Sequence, residues 1–190
     1  MKLAGILLAA GRGRRFDPEG RRNKLLQQLP GGDLVVAASA RHLLSCVPRV
    51  IAVVPPDDGG VAAILRALGC DVAICPEADT GMGASLVQAI RHSLPAEGWL
   101  VALGDMPYVR ESTLAALRDA VFDGAGIAVP THGGRRGNPV AFGAEHRDAL
   151  LALGGDQGAR RLLQTCPVTE LVVDDPGILR DIDTPSDLLA

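Results

Sequence analysis

The feature that most constrains this chain is a series of short, unbroken apolar runs separated by stretches with helical spacing. Residues 3–9, 50–54, 72–75, 100–103, 127–129, 140–142 and 171–173 are such runs, and strands of this kind are buried on both faces, as in mostly parallel sheets. Between them, residues 34–44, 61–68, 82–94, 112–121, 144–153 and 158–163 repeat apolar side chains at helical intervals. The alternation predicts a three-layer α/β architecture with a mostly parallel, partly mixed sheet, and 190 residues without a recognisable linker predict a single domain over 1–190. In open α/β sheets ligands bind beyond the carboxyl ends of the strands, so the segments after each run are where chemistry is expected.

Composition removes several classes of function. Apolar residues make up 47% and charged residues 22%, which is globular rather than disordered usage. No apolar run approaches the roughly 20 residues of a membrane span, and Leu3 to Ala10 is too short and wrongly flanked for a signal peptide, so a cytoplasmic protein without membrane contact is expected. The cysteines form no C-x-x-C pair and the histidines no metal-binding spacing, which speaks against zinc. Charge is concentrated in one place. Residues 12–24 carry six basic and two acidic side chains in a chain of net charge −3. With 3% aromatics there is no stacking platform for nucleic acid, and a small anionic ligand suits this loop better.

That loop, LLAAGRGRRFDPEGRRNKLL, follows the first strand directly. It is not a dinucleotide-binding G-x-G-x-x-G turn, because Phe16 stands where the last glycine should be, and it contains no phosphate-binding G-x-x-x-x-G-K-[ST]. What it offers is a glycine turn with free backbone N–H groups, flanked by Arg12, Arg14, Arg15, Arg21, Arg22 and Lys24, an arrangement suited to a polyphosphate. The chain has seventeen arginines and two lysines, so a lysine at 24 points to a need for a compact ammonium. The plainer alternative is a solvated, arginine-rich surface loop.

Two acidic stations complete the pattern. Asp105 lies just past an apolar run in LGDMP, and an aspartate facing a polyphosphate calls for a divalent cation between them. Capping of the following helix is the structural alternative. In RDIDTPSDLL, Thr184, Pro185 and Asp187 read as a helix start with a capping-box pattern. Asp181 and Asp183, two apart in an extended segment, share one face and could bring a second carboxylate to the cation.

Taken in order, LAAG, the basic loop ending at Lys24, GMGASL at 81–86, LGDMP at 103–107, RGNPVAF at 136–142, GDQGAR at 155–160 and DIDTP at 181–185 resemble the molybdenum-cofactor nucleotidyltransferases. With Ala10 in the position that tends to separate LAAG from LAGG, the chain is more similar to the cytidylyltransferase branch. The resemblance implies a Rossmann-like nucleotidyltransferase fold that binds a nucleoside triphosphate, CTP favoured over GTP, with Mg²⁺. It implies transfer of the nucleotidyl group to a phosphorylated acceptor, molybdopterin or molybdenum-loaded molybdopterin, with release of pyrophosphate. Transient contact with a molybdoenzyme or its maturation chaperone would accompany that role. By the same carry-over Ala9, Ala10, Gly11, Arg12 and Gly13 lie along the nucleotide, Arg15 and Lys24 touch phosphates, and Ser85 belongs to a nucleotide-contacting turn. Asp105 and Asp183 hold the metal, with Arg15, Lys24 and Asp105 the catalytic set. Asn138, Asp156 and Arg160 fall to the acceptor, with Arg136 beside Asn138.

The chain departs from the family pattern in having seven residues, Asp17 to Asn23, where about three are usual. It also has Gly83 and Ala84 where serines are frequent, and Asn138 in place of a common histidine. GMGASL, RGNPVAF and Asp156 each have a plain structural alternative: close packing of a turn, a turn feeding a strand, and a helix N-cap. Trp99 and Phe142 are expected to pack against the sheet. A sugar- or alkyl-phosphate nucleotidyltransferase and a non-catalytic nucleotide-binding module are the two rivals.

Overall fold

A computed structural model describes residues 2–11, 13–155 and 158–189. The apolar runs become strands β1 (Leu3–Leu8), β2 (Val50–Val54), β3 (Asp71–Ile74), β4 (Gly98–Leu103), β5 (Ile127–His132), β7 (Val140–Gly143) and β8 (Thr169–Val172), with a short β6 (Arg135–Arg136) before β7. The helices are α1 (Val35–Cys46), α2 (Val61–Ala67), α3 (Met82–Ser93), α4 (Glu111–Phe122), α5 (Arg147–Leu151) and α6 (Arg160–Thr165). All eight strands join one sheet, ordered β3-β2-β1-β4-β7-β5-β6, with β8 pairing β5. Strands β1 to β4 run parallel, β7 is antiparallel to β4 and β5, and β8 returns parallel to β5, which makes the sheet mostly parallel and partly mixed.

Because successive strand side chains point to opposite faces, the apolar runs feed two separate cores. Leu3 and Leu7 of β1, Ala52 of β2 and Leu100 of β4 pack with Val36, Leu43, Leu65, Leu114 and Leu117 on the side of α1, α2 and α4. Ala4 and Ile6, Ile51 and Val53, and Trp99 and Val101 pack with Leu86, Ile90, Leu150 and Leu162 on the side of α3, α5 and α6. Trp99 and Phe142 are fully buried there, as expected from the sequence. Apolar burial at roughly 25 cal/mol per Å² on both faces is what holds three layers together.

Element boundaries differ from the sequence reading in two instructive places. The stretch 144–153 is not one helix: Ala144–His146 wind as a 3-10 turn and only Arg147–Leu151 are α-helical. The carboxyl-terminal helix is also a 3-10 segment, Pro185–Leu189, and its capping pattern is half of the one expected. Asp187 reaches back to accept the Asp183 and Thr184 backbone N–H groups, but the Thr184 hydroxyl donates to Asp187 instead of accepting from the backbone.

The strand order reverses between β1 and β4: the chain travels from β1 outward to β2 and β3, then returns to place β4 on the other side of β1. The crevice beyond such a switch point is where sheets of this class bind ligands. The basic loop leaves β1 there and Asp105 leaves β4 there.

Candidate active site

The long basic loop folds on itself and delivers Lys24 back to the sheet edge. The Gly13 carbonyl accepts the Phe16 and Asp17 backbone N–H groups, and the Asp17 carboxylate accepts those of Glu19 (3.1 Å) and Arg22 (2.7 Å). Phe16 is 2% exposed, anchored beneath the loop with the Arg22 guanidinium over its ring. The Asn23 side chain accepts the Leu25 N–H, opening the 3-10 turn Lys24–Leu26, and donates to the Asp58 carbonyl after β2. The extra residues thus form a closed turn, and Arg15 and Lys24 both reach the Asp183 carboxylate.

Lys24 is 7% exposed. Its Nζ donates to Asp105 Oδ2 at 2.6 Å and to Asp183 Oδ1 at 3.1 Å, while Arg15 Nη1 lies 2.6 Å from Asp183 Oδ2. The sequence reading puts a cation and a triphosphate between the basic loop and the acids; in the structure they touch directly. The second station is positioned by backbone: the Ile182 N–H donates to the Asp105 carbonyl at 2.8 Å, and buried Ile182 turns Asp181 and Asp183 to the opposite side. Asp105, Asp181 and Asp183 can bring carboxylate oxygens within 4.8 Å of one another. Asp105 does not cap α4, which starts six residues later at Glu111.

The electrostatics follow from this crowding. Burial draws the Lys24 ammonium toward a lower pKa, but Asp105 and Asp183 outweigh it and hold the pKa above the ordinary lysine value. For Asp183, burial pushes upward and Lys24, with Asp181 and Arg15, pulls further down, leaving it below the usual aspartate value. Asp181 is raised by burial and by its hydrogen bond and proximity to Asp183, with Asp105 adding to it. Three carboxylates against two cationic side chains leave an excess of negative charge. Hard oxygen donors at this spacing suit Mg²⁺ or Mn²⁺, and the Lys24 ammonium already stands as a positive charge between two of them.

Ser85, 4% exposed in the first turns of α3, lines a cavity of about 120 Å³ with Ala9, Ala10, Gly11, Lys24 and Asp105. This adjoins a larger open cavity of about 790 Å³ bounded by Gly11, Arg14, Asn23, the segment after β2 and the segment after β3. Asn138 sits at the same sheet edge before β7, its backbone N–H donating to the Ile178 carbonyl, and lines a small cavity with Ser39, His42 and Met106 that is separate from the one holding Ser85 and Lys24. Arg136 is paired with Glu170 at 2.7 Å and donates to the Leu163 carbonyl, so it is engaged on the surface away from Lys24. Arg160 opens α6 and is exposed. Arg12 and Asp156 lie outside the described residues. Gly83 is a packing position: a Cβ there would lie 2.8 Å from the Gly155 carbonyl oxygen, so a serine does not fit.

The sequence pattern of the MobA-like NTP transferase domain matches residues 5–171. The chain belongs to this family. Among solved structures it is similar to Rv0371c from Mycobacterium tuberculosis H37Rv, with 29% identity, a TM-score of 0.85, and coverage of 98% of this chain and 95% of the other. A complex of Rv0371c with manganese superposes with a TM-score of 0.80. A nucleotidyl transferase from Methanothermobacter thermautotroptrophicus (Mth528) is 27% identical with a TM-score of 0.84, covering 99% and 94% of the two chains. The purine catabolism protein PucB of Bacillus subtilis (strain 168) is 28% identical over 97% of this chain and 93% of its own length. The chain spans about a third (34%) of the length of the bifunctional protein GlmU of Azorhizobium caulinodans, which it also matches. The mixed, mostly parallel sheet with its helices is an α/β nucleotidyltransferase fold, matching these neighbours. Among the described residues no helix is long and apolar enough to cross a membrane.

Proposed function

We propose that residues 1–190 form one transferase domain that moves CMP from CTP to the phosphate of molybdopterin, with or without molybdenum, and releases pyrophosphate. The observation that carries this reading is the meeting of Lys24, Asp105 and Asp183 at the switch point, with Arg15 on the outer carboxylate. In this reading the acceptor phosphate oxygen forms a bond to the α-phosphorus as the bond from that phosphorus to the β-phosphate bridging oxygen breaks. Positioning and electrostatics carry such a displacement. Because the acceptor phosphate is already ionised, no general base is required.

Asp105 and Asp183, with Asp181 beside them, would hold a divalent cation, Mg²⁺ in this reading, that offsets charge on the α-phosphate and on the departing pyrophosphate. Lys24 and Arg15 hold the triphosphate, Lys24 moving from carboxylate to phosphate as the nucleotide enters. The backbone at Ala9, Ala10, Gly11 and Gly13 runs along the nucleotide, with Arg12 in the same stretch, and Ser85 contacts it from α3. The larger cavity takes the nucleoside. Ala10 supports cytosine over guanine. Asn138, Asp156 and Arg160 are assigned to the acceptor, with Arg136, paired to Glu170 at the surface, beside Asn138. The protein works in the cytoplasm, in passing contact with a molybdoenzyme or its maturation chaperone.

The test is pyrophosphate release from CTP, GTP, ATP and UTP with molybdopterin as acceptor. CTP is expected to be preferred, and a preference for GTP would remove the cytidylyl assignment while leaving the reaction type. Asp105→Ala is expected to abolish release in a protein that remains folded; near-normal turnover would refute the metal role. Asn138, in place of a common histidine, bears on the choice of acceptor more than on the reaction type, and a sugar- or alkyl-phosphate acceptor is the second reading, separated by product analysis. A non-catalytic module would bind CTP without releasing pyrophosphate.

A further inference from the structure

Asp175 has no part in the reading above, yet it is among the most buried charged residues in the molecule, 2% exposed. A carboxylate is costly to bury unless its lone pairs are occupied. Those of Asp175 are. Oδ2 accepts the Arg110 backbone N–H at 2.9 Å and the Thr113 hydroxyl at 2.7 Å, and Oδ1 accepts the Gly177 N–H at 2.9 Å. One oxygen therefore caps the start of α4, and the other fixes the turn that begins the segment leading to Asp181 and Asp183.

The two chain segments joined here are the ones that carry the acids. Asp105 lies five residues before Arg110, and Asp183 lies eight residues after Asp175. The segments run in opposite directions and meet at two more points. Gly177 packs directly on the Tyr108 backbone carbonyl, where a Cβ would collide, and the Ile182 N–H donates to the Asp105 carbonyl. Asp175 and Ile182 thus close the two ends of one backbone frame, with the acids at the Ile182 end.

We propose that Asp175 is a positioning residue that sets the separation of Asp105 and Asp183, and through it the affinity of the site for a divalent cation. The inference rests on the metal role assigned to those two aspartates. Asp175→Asn is nearly isosteric, but an amide has one acceptor end. With its oxygen toward Arg110 and Thr113, its NH₂ meets the Gly177 N–H donor to donor; in the reverse orientation it meets the Arg110 N–H instead. Either way one tie of the frame opens.

The experiment titrates the full chain with Mn²⁺ alone and reads free Mn²⁺ by electron paramagnetic resonance. Asp175→Asn is expected to raise the dissociation constant at least about tenfold, the range found when groups supporting metal ligands are changed. Thr113→Val, which removes one hydrogen bond on the α4 side only, is expected to lower the melting temperature while leaving Mn²⁺ affinity within about twofold. Equal weakening in both variants would mean general destabilisation and would overturn the proposal, as would unchanged affinity in a folded Asp175→Asn protein. Should that variant not fold, Gly177→Ala displaces the same segment from Tyr108 with Asp175 intact, and unchanged Mn²⁺ affinity there overturns the proposal equally. Wild-type protein that binds no Mn²⁺ would remove the metal reading together with this one, whereas wild-type binding with an unaffected Asp175→Asn removes the positioning role alone.

Discussion

Lys24 stands where two demands conflict. Its ammonium is paired with Asp105 and Asp183, and the proposed reaction needs that charge on a phosphate. Lys24→Ala should therefore separate the two roles. Removing the ammonium leaves partly buried carboxylates uncompensated and is expected to cost about 1–3 kcal/mol. Thermal melts should record that loss, and added Mn²⁺ should recover it by replacing the missing positive charge. Pyrophosphate release should stay low throughout, since Mn²⁺ does not replace a group that holds the triphosphate. Sequence alone singles out Lys24, because arginine is otherwise so strongly preferred in this chain. It does not show that the side chain contacts carboxylates directly, since nothing in the spacing of residues 24, 105 and 183 reports their distance in space.

At the scale of elements, the end of α3 is joined to β4 by a buried polar pair. The Trp99 indole N–H donates to the Ser93 hydroxyl at 2.7 Å, and that hydroxyl donates to the Ile90 carbonyl at 2.7 Å. Ser93→Ala leaves the indole N–H unpaired in a dry core and is expected to destabilise the fold by about 1–3 kcal/mol, read from the chemical-denaturation midpoint. Strands β1, β2 and β4 were legible because an unbroken apolar run has few alternatives at that length. Strand β6 was not: two exposed arginines carry no periodic signal and pair only because the turn at Gly133 and Gly134 folds them back on β5. The start of α4 was legible to within one residue, but the carboxylate that receives the Arg110 N–H there was not, since Asp175 lies 65 residues away.

For the whole molecule, the shifted groups define how stability varies with pH. Asp183 and Asp187 sit below the ordinary aspartate value of 3.8, Asp187 through its bonds to Thr184 and the Asp183 N–H, so they stabilise the fold above that value and lose this as pH falls through their folded values. Asp181 is raised and works in the opposite sense, favouring the fold while protonated and opposing it as pH rises past 3.8. Lys24, raised above 10.5, contributes fully below that value and ceases to contribute as pH climbs through its folded pKa. Burial raises the Cys46 and Cys70 thiols above 9.0, Cys70 to about 11, so they oppose the fold as pH rises past 9.0, and melting temperature is expected to form a plateau between about pH 5 and pH 9 and to fall on both sides. Lys24→Met should flatten the alkaline fall, and an unchanged alkaline limb would show that the ammonium does not govern it. The layered architecture was legible because both faces of the sheet are recorded in the apolar runs. The convergence of the acids was legible through their places just past the apolar runs and through the order of the motifs.

The contact between Lys24 and Asp183 spans 159 positions along the chain. No early hairpin or isolated helix pair holds both halves of it, so closing this loop belongs to the late, entropically demanding stage of self-organisation. Catalytic competence then serves as a clock for the last step of maturation: after dilution from denaturant, the circular dichroism of helices should return before the capacity to occupy a cation does, and the interval between the two measures how long this chain exists with its secondary structure built and its chemistry missing.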